Sequence, residues 1–133
     1  MKKYVFYIFI WSLLLCSGCY DDDIITSKPG EPIDPVSNLA ANAEGDQVNL
    51  SWDLPSAYPE NVIEPVSVLI HVSVDGRREG GSITLEDNAV SYTYSPYDPA
   101  KTYRFTVKVM AHAEPSEDYQ SGLFYSPGST IEL

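Results

Sequence analysis

Apolar residues recur at every second position along most of the chain beyond residue 36. Val48, Leu50 and Trp52 alternate with Asn49 and Ser51. Val66, Val68, Ile70, Val72 and Val74 form a second row, opposed by Ser67, Leu69, His71 and Ser73. Tyr103, Phe105, Val107 and Val109 form a third, opposed by Arg104, Thr106 and Lys108. Shorter rows occur at Ile83/Leu85 and at Val90/Tyr92/Tyr94. A period of two sends alternate side chains to opposite faces, so each row predicts a strand with one apolar face. β-branched and aromatic residues dominate the rows, as a half-buried pleated surface requires. Turn-forming residues separate them: Gly45-Asp46, Pro55 to Pro59, Asp75-Gly76, Gly80-Gly81, Asp87-Asn88 and Pro96 to Pro99. No stretch carries a convincing helical face. Strands with one apolar face each bury it against a second sheet or by closing a barrel.

The start of the chain follows another pattern. Lys2 and Lys3 precede a hydrophobic run from Tyr4 to Leu15, broken only by Ser12. Its twelve residues fall short of the roughly 20 that a membrane-spanning helix needs, and they fit a secretion leader. Leu15-Cys16-Ser17-Gly18-Cys19 resembles the bacterial lipobox, where signal peptidase cuts before a cysteine that becomes lipidated. Ser17, Gly18 and Cys19 match that motif, while Cys16 stands where the motif prefers leucine. A cut before Cys16 would place bulky Leu14 and Leu15 at the small-residue positions. The resemblance therefore implies a lipoprotein signal peptide over 1–18 and lipidation at Cys19. A plainly secreted or uncleaved leader is the alternative. The only cysteines are Cys16 and Cys19, so the remaining domain is expected to fold without a disulfide.

Asp21, Asp22 and Asp23 follow directly. They resemble the surface-export signal of Bacteroidetes lipoproteins. The plainer reading is a solvated charge run. Pro29, Gly30, Pro32 and Pro35 then interrupt any periodicity. Residues 19–35 are thus expected to be a lipidated cysteine with an acidic, Pro-rich tether, and 36–133 the folded domain. The chain has 8 Lys+Arg against 19 Asp+Glu. Without Lys2 and Lys3 the balance is 6 − 19 = −13. Such a charge repels phosphate backbones and argues against a nucleic-acid partner.

Pro35-Val36-Ser37-Asn38-Leu39-Ala40-Ala41, then Val48 to Trp52 and Pro55, resembles the opening of a fibronectin type III domain. Tyr97-Asp98-Pro99-Ala100-Lys101-Thr102-Tyr103 resembles the segment before that family's sixth strand, with Tyr97 in place of the usual leucine. The resemblance implies an all-β fold, a seven-stranded antiparallel immunoglobulin-like (fibronectin type III) β-sandwich. It implies that Trp52 plugs the core and that Tyr103 is the corner tyrosine, bonding back to nearby backbone. It places strands near 36–43, 47–53, 66–74, 81–85, 89–94, 103–111 and 129–133.

Catalytic chemistry finds little support. The two histidines, His71 and His112, lie apart, and neither sits in a nucleophile–base arrangement. No His-x-His or mature cysteine pair suggests zinc. The Glu86-Asp87 and Glu117-Asp118 pairs lack the spacing of a calcium loop. No Gly-rich phosphate loop occurs. The chain is expected not to be an enzyme and to hold no metal or cofactor. Aromatic residues on loops anchor interfaces and stack on sugars. Tyr58, Tyr119 and Tyr125 are accordingly the candidate ligand contacts, with Phe124 and Tyr125 as edge packing the competing reading. The expected function is a lipid-anchored cell-envelope binding or adhesion module, accessory to surface glycan capture. The alternative is a structural or assembly subunit of an outer-membrane complex or pilus. The expected partners are the membrane, through the lipid on Cys19, and a protein or glycan ligand. The expected place is the outer membrane, facing the cell surface, with the periplasmic face as the alternative.

Overall fold

The structure, a computed structural model, describes residues 33–114 and 122–133. Nine strand segments follow one another: β1 (Ser37–Glu44), β2 (Gln47–Asp53), β3 (Val62–Val74), β4 (Arg77–Arg78), β5 (Ile83–Leu85), β6 (Ser91–Tyr94), β7 (Tyr103–Ala113), β8 (Leu123–Tyr125) and β9 (Ser129–Glu132). β1, β2 and β6 form one antiparallel sheet in that order. In the other sheet β3 pairs with β7, β4 and β5 line the free side of β3, and β8 and β9 line the free side of β7. β4 with β5 occupy one strand position, and β8 with β9 another. The result is a seven-position antiparallel immunoglobulin-like β-sandwich, divided three and four. In constant immunoglobulin domains the fourth strand sits on the sheet of the first two; here its counterpart sits beside β3.

The period-two rows become the inner faces. Val48, Leu50 and Trp52 from one sheet meet Val66, Val68, Ile70, Val72, Phe105, Val107 and Val109 from the other. Ile33, within the stretch read as tether, is 2% exposed and joins this core with Val36. Packing thus begins before residue 36, because Ile33 is apolar and is buried with Val36 in the core cluster.

β3 is longer than the apolar row predicts, starting at Val62 rather than 66. Its pairing with β7 slips between Ile63 and Ser67. There Val66 pairs with Asn88 instead: the Asn88 amide donates to the Val66 carbonyl (3.0 Å), and the Val66 amide donates to Asn88 Oδ1 (2.8 Å). Asp75 and Gly76 both take positive φ, which turns β3 sharply into β4. The predicted strand at 81–85 is shortened to β5, and β4 is an addition the apolar pattern does not mark.

The last predicted strand is preceded by a separate segment, β8. From Tyr125 to Ser129 the chain takes four steps while its partner takes three, from Met110 to Val107. The extra residue makes a bulge. Ser126, a buried polar residue, fills the gap: its amide donates to the Val109 carbonyl, and the Val109 amide donates to its Oγ at 2.8 Å. A Cβ on Gly128 would lie 2.6 Å from Thr106 Cγ2, so only glycine fits there without a shift.

Candidate functional site

With the inner faces committed to the core, the outward face of the β3–β7 sheet is where these elements present side chains in rows. Register pairs Ser67 with Met110, Leu69 with Lys108, His71 with Thr106, and Ser73 with Arg104. β8 and β9 extend the rows, placing Tyr125 beside Met110, Thr130 beside Thr106 and Glu132 beside Arg104. On the other side β4 sets Arg78 beside Ser73.

Polar contacts tie this face together. An Arg78 guanidinium nitrogen lies 2.7 Å from His71 Nδ1 and donates to Ser82 Oγ at 2.8 Å. Because guanidinium only donates, Nδ1 is the accepting nitrogen of a neutral imidazole. Burial, and then the charges of Arg78 and Lys108, hold the His71 pKa below the ordinary histidine value. Arg104 donates twice to Glu132 Oε2, at 2.8 and 3.1 Å. Ser67 Oγ donates to Glu86 Oε2 at 2.6 Å. A shallow groove at the Arg104 end, bordered by Asp75, Thr102, Arg104 and Glu132, carries two carboxylates against one guanidinium.

Tyr125 stands on this face with 51% of its surface exposed. It lies on strand β8, not on a loop, because the chain pairs again with β7 before the bulge. Phe124, its neighbour, turns inward and packs on the core. Tyr58 does lie on the loop between β2 and β3, but its ring is not presented outward. It packs against the core, and its enclosed hydroxyl meets no hydrogen-bond partner among the described residues. Burial and the nearby Glu64 carboxylate raise its pKa. One ring turns inward and the other outward, so Tyr58 and Tyr125 do not share a contact surface. Tyr119 lies outside the described residues, as do Cys19, Asp21, Asp22 and Asp23. Met110, Leu69, Arg78 and Lys108 join Tyr125 on the outward face. The alternation of Leu69 and Lys108 with the core rows was visible, but Arg78 stands on a strand no apolar row marks, and which row lies beside which depended on strand order.

Trp52 is 3% exposed, and its indole N–H donates to the Ala89 carbonyl at 2.9 Å. The Tyr103 hydroxyl accepts from the Asp98 amide at 3.1 Å, closing the turn before β7. Tyr97 lies against the Tyr103 ring, centroids 4.9 Å apart, filling the place of the expected leucine with an aromatic contact. Among the described residues no three His, Cys, Asp or Glu side chains come together as a metal site.

Among solved structures, a myokine structure is similar over 77% of this chain and 96% of its own, at 16% identity and a TM-score of 0.52. A structure of titin kinase and its flanking domains is similar over 74% of this chain and 16% of that one, at 17% identity and a TM-score of 0.46. The first likeness agrees with an immunoglobulin/fibronectin type III-like β-sandwich and speaks to the fold alone. A search of curated proteins finds no match. A family model, described as "Domain of unknown function (DUF4945)", matches residues 19–133, and the chain belongs to that family.

Proposed function

We propose that the chain is a non-catalytic binding or adhesion module, anchored in the cell envelope by a lipid on Cys19 and displayed on the outer membrane. The observation that carries the binding role is the outward face of the β3–β7 sheet. There Tyr125 is half exposed beside partly buried Met110, with partly buried Leu69 on the same face, and Tyr and Met are types that interfaces favour over ordinary surface. The family match begins at Cys19, the residue at which the lipobox-like motif expects the cut, and this supports the anchored reading. The acidic run Asp21 to Asp23 supports display on the cell surface.

A photo-crosslinking amino acid at position 125 tests the binding role in living cells. Expected is a discrete adduct with another envelope component, absent when the same group is placed at exposed position 40 on the opposite sheet. Equal labelling from both positions, or none from 125, refutes it.

A further inference from the structure

Among the described residues, 13 carboxylate side chains face 5 cationic ones. In so acidic a body, cations should find carboxylate partners readily. Arg104 does, in its pair with Glu132. The other four, Arg77, Arg78, Lys101 and Lys108, do not, and of these Arg78 and Lys108 share one sheet face. Arg78 spends its hydrogen bonds on the neutral acceptors His71 and Ser82, and neither residue has a carboxylate within ion-pair distance among the described residues. Both lie on the outward face of the β3–β7 sheet, close enough to His71 for their charges to act on it. The outward face of the β1-β2-β6 sheet is the opposite: it carries Glu44 and Asp53 and no cationic side chain. The β3–β7 face thus carries Arg78 and Lys108 beyond the cation that its own carboxylates pair, whereas the opposite face carries carboxylates alone.

Beside the free cations sit apolar groups. Leu69 is the cross-strand partner of Lys108, Met110 follows Lys108 on the same face of β7, and Tyr125 is the partner of Met110. Tyr, Met and Arg are the residue types enriched at the centres of protein interfaces. The face is an open sheet, whereas small ligands take concave sites. Uncompensated charges on such a face steer and select partners of opposite sign.

The geometry points to this face as a docking surface for an acidic protein partner, whose carboxylates meet Arg78 and Lys108 while its apolar atoms cover Met110 and Tyr125. The inference rests on the binding-module reading and adds the chemistry of the partner. The test uses the full-length chain in a neutral detergent and fluorescein-labelled poly-L-glutamate, read by anisotropy at about 20 and 300 mM salt, where screening lengths differ about fourfold. Binding at the lower salt is expected, strongly weakened at the higher. R78Q/K108Q should weaken it at least about tenfold, as loss of two charge-assisted contacts implies. A40E/S91E makes the same change in net charge on the opposite sheet and should alter it by no more than about threefold, because screening shields distant charges. R78K/K108R, which keeps both charges, should bind like the natural chain.

No binding at low salt overturns the inference. So does equal loss in R78Q/K108Q and A40E/S91E, which would reduce the effect to net charge. So does a loss in R78K/K108R as large as that in R78Q/K108Q, which would place the effect in the fold. Polygalacturonate bound in place of polyglutamate also overturns it, and assigns the face to acidic glycans. A chain that fails to acquire lipid, or yields no adduct in cells, defeats the envelope reading and leaves this titration unchanged, so the two fail separately.

Discussion

Replacing Trp52 tests the core of the fold most directly. Its side chain is 3% exposed and lies among the inner-face residues of both sheets. Trp52→Ala removes the whole indole, and such truncations cost about 3–5 kcal/mol in lost transfer and cavity terms. It also leaves the Ala89 carbonyl without the indole N–H that binds it at 2.9 Å. Trp52→Phe keeps most of the apolar volume but loses the same hydrogen bond, an effect of about 0.5–1.5 kcal/mol. A domain of roughly 100 residues has about 5–15 kcal/mol in total. Urea unfolding followed by far-ultraviolet circular dichroism gives both values. With a slope of about 1–1.5 kcal/mol/M for so small a domain, Trp52→Phe should shift the midpoint by about 0.3–1.5 M. Trp52→Ala should shift it by about 2–5 M, or leave the domain unfolded without denaturant. A Trp52→Ala midpoint within about 0.5 M of the natural chain would refute the reasoning, because no plug of that size could be lost so cheaply.

Tyr103→Phe keeps the ring packed against Tyr94, Tyr97 and Phe105 but loses the bond from the Asp98 amide; the thermal midpoint should fall by about 4–8 °C for a loss near 1 kcal/mol. Ser126→Ala should leave the fully buried Val109 amide unpaired, costing about 1–3 kcal/mol and speeding hydrogen exchange at that amide, while unchanged protection would refute the role. His71 should make stability fall with acid: its folded pKa is lowered, so the unfolded chain binds the proton first as pH drops through about 6.5. The stability difference between the natural chain and His71→Gln should therefore shrink from pH 7.5 to 5, and a flat difference counts against it. Cys19→Ser should abolish incorporation of an alkyne fatty acid, and labelling that persists would move the anchor elsewhere.

The sandwich was legible where side chains alternate strictly. The rows at 48–52, 66–74 and 103–109 each lie on the observed inner faces, because a period of two leaves one way to bury them. What the pattern did not show depends on backbone. β4 has two exposed arginines and no apolar row, so only the Asp75-Gly76 turn could have announced it. Only β9 was predicted; β8, three residues cut off from it by the bulge, is too short to carry an alternating row. Ser126 is marked by no apolar row, yet it is buried and pairs the Val109 amide. Ile33 was hidden among prolines that suggested a linker. The candidate contacts suffered from the same limit: an aromatic residue between strands can turn in, as Tyr58 does, or lie on a short strand, as Tyr125 does. Hydrophobicity alone does not distinguish the two.

Segmentation along the rims of both sheets has a consequence for how copies of this chain behave when crowded. Open strand edges invite pairing between molecules, and natural proteins blunt them with short strands, bulges and charges. Each of the four rims is blunted here. β6 offers four residues. β4 and β5 offer two and three, separated by Gly80, which takes positive φ. The β8–β9 rim is broken at Ser126. β1 is bulged between Ser37 and Ala40, where Asn38 takes positive φ and holds Asp53, and its regular pairing ends at Glu44. Among the described residues no rim presents a long regular ladder to a neighbour. Chains packed densely side by side would thus resist sheet-to-sheet aggregation, and their association would fall to the exposed faces, where side chains rather than backbone choose the partner.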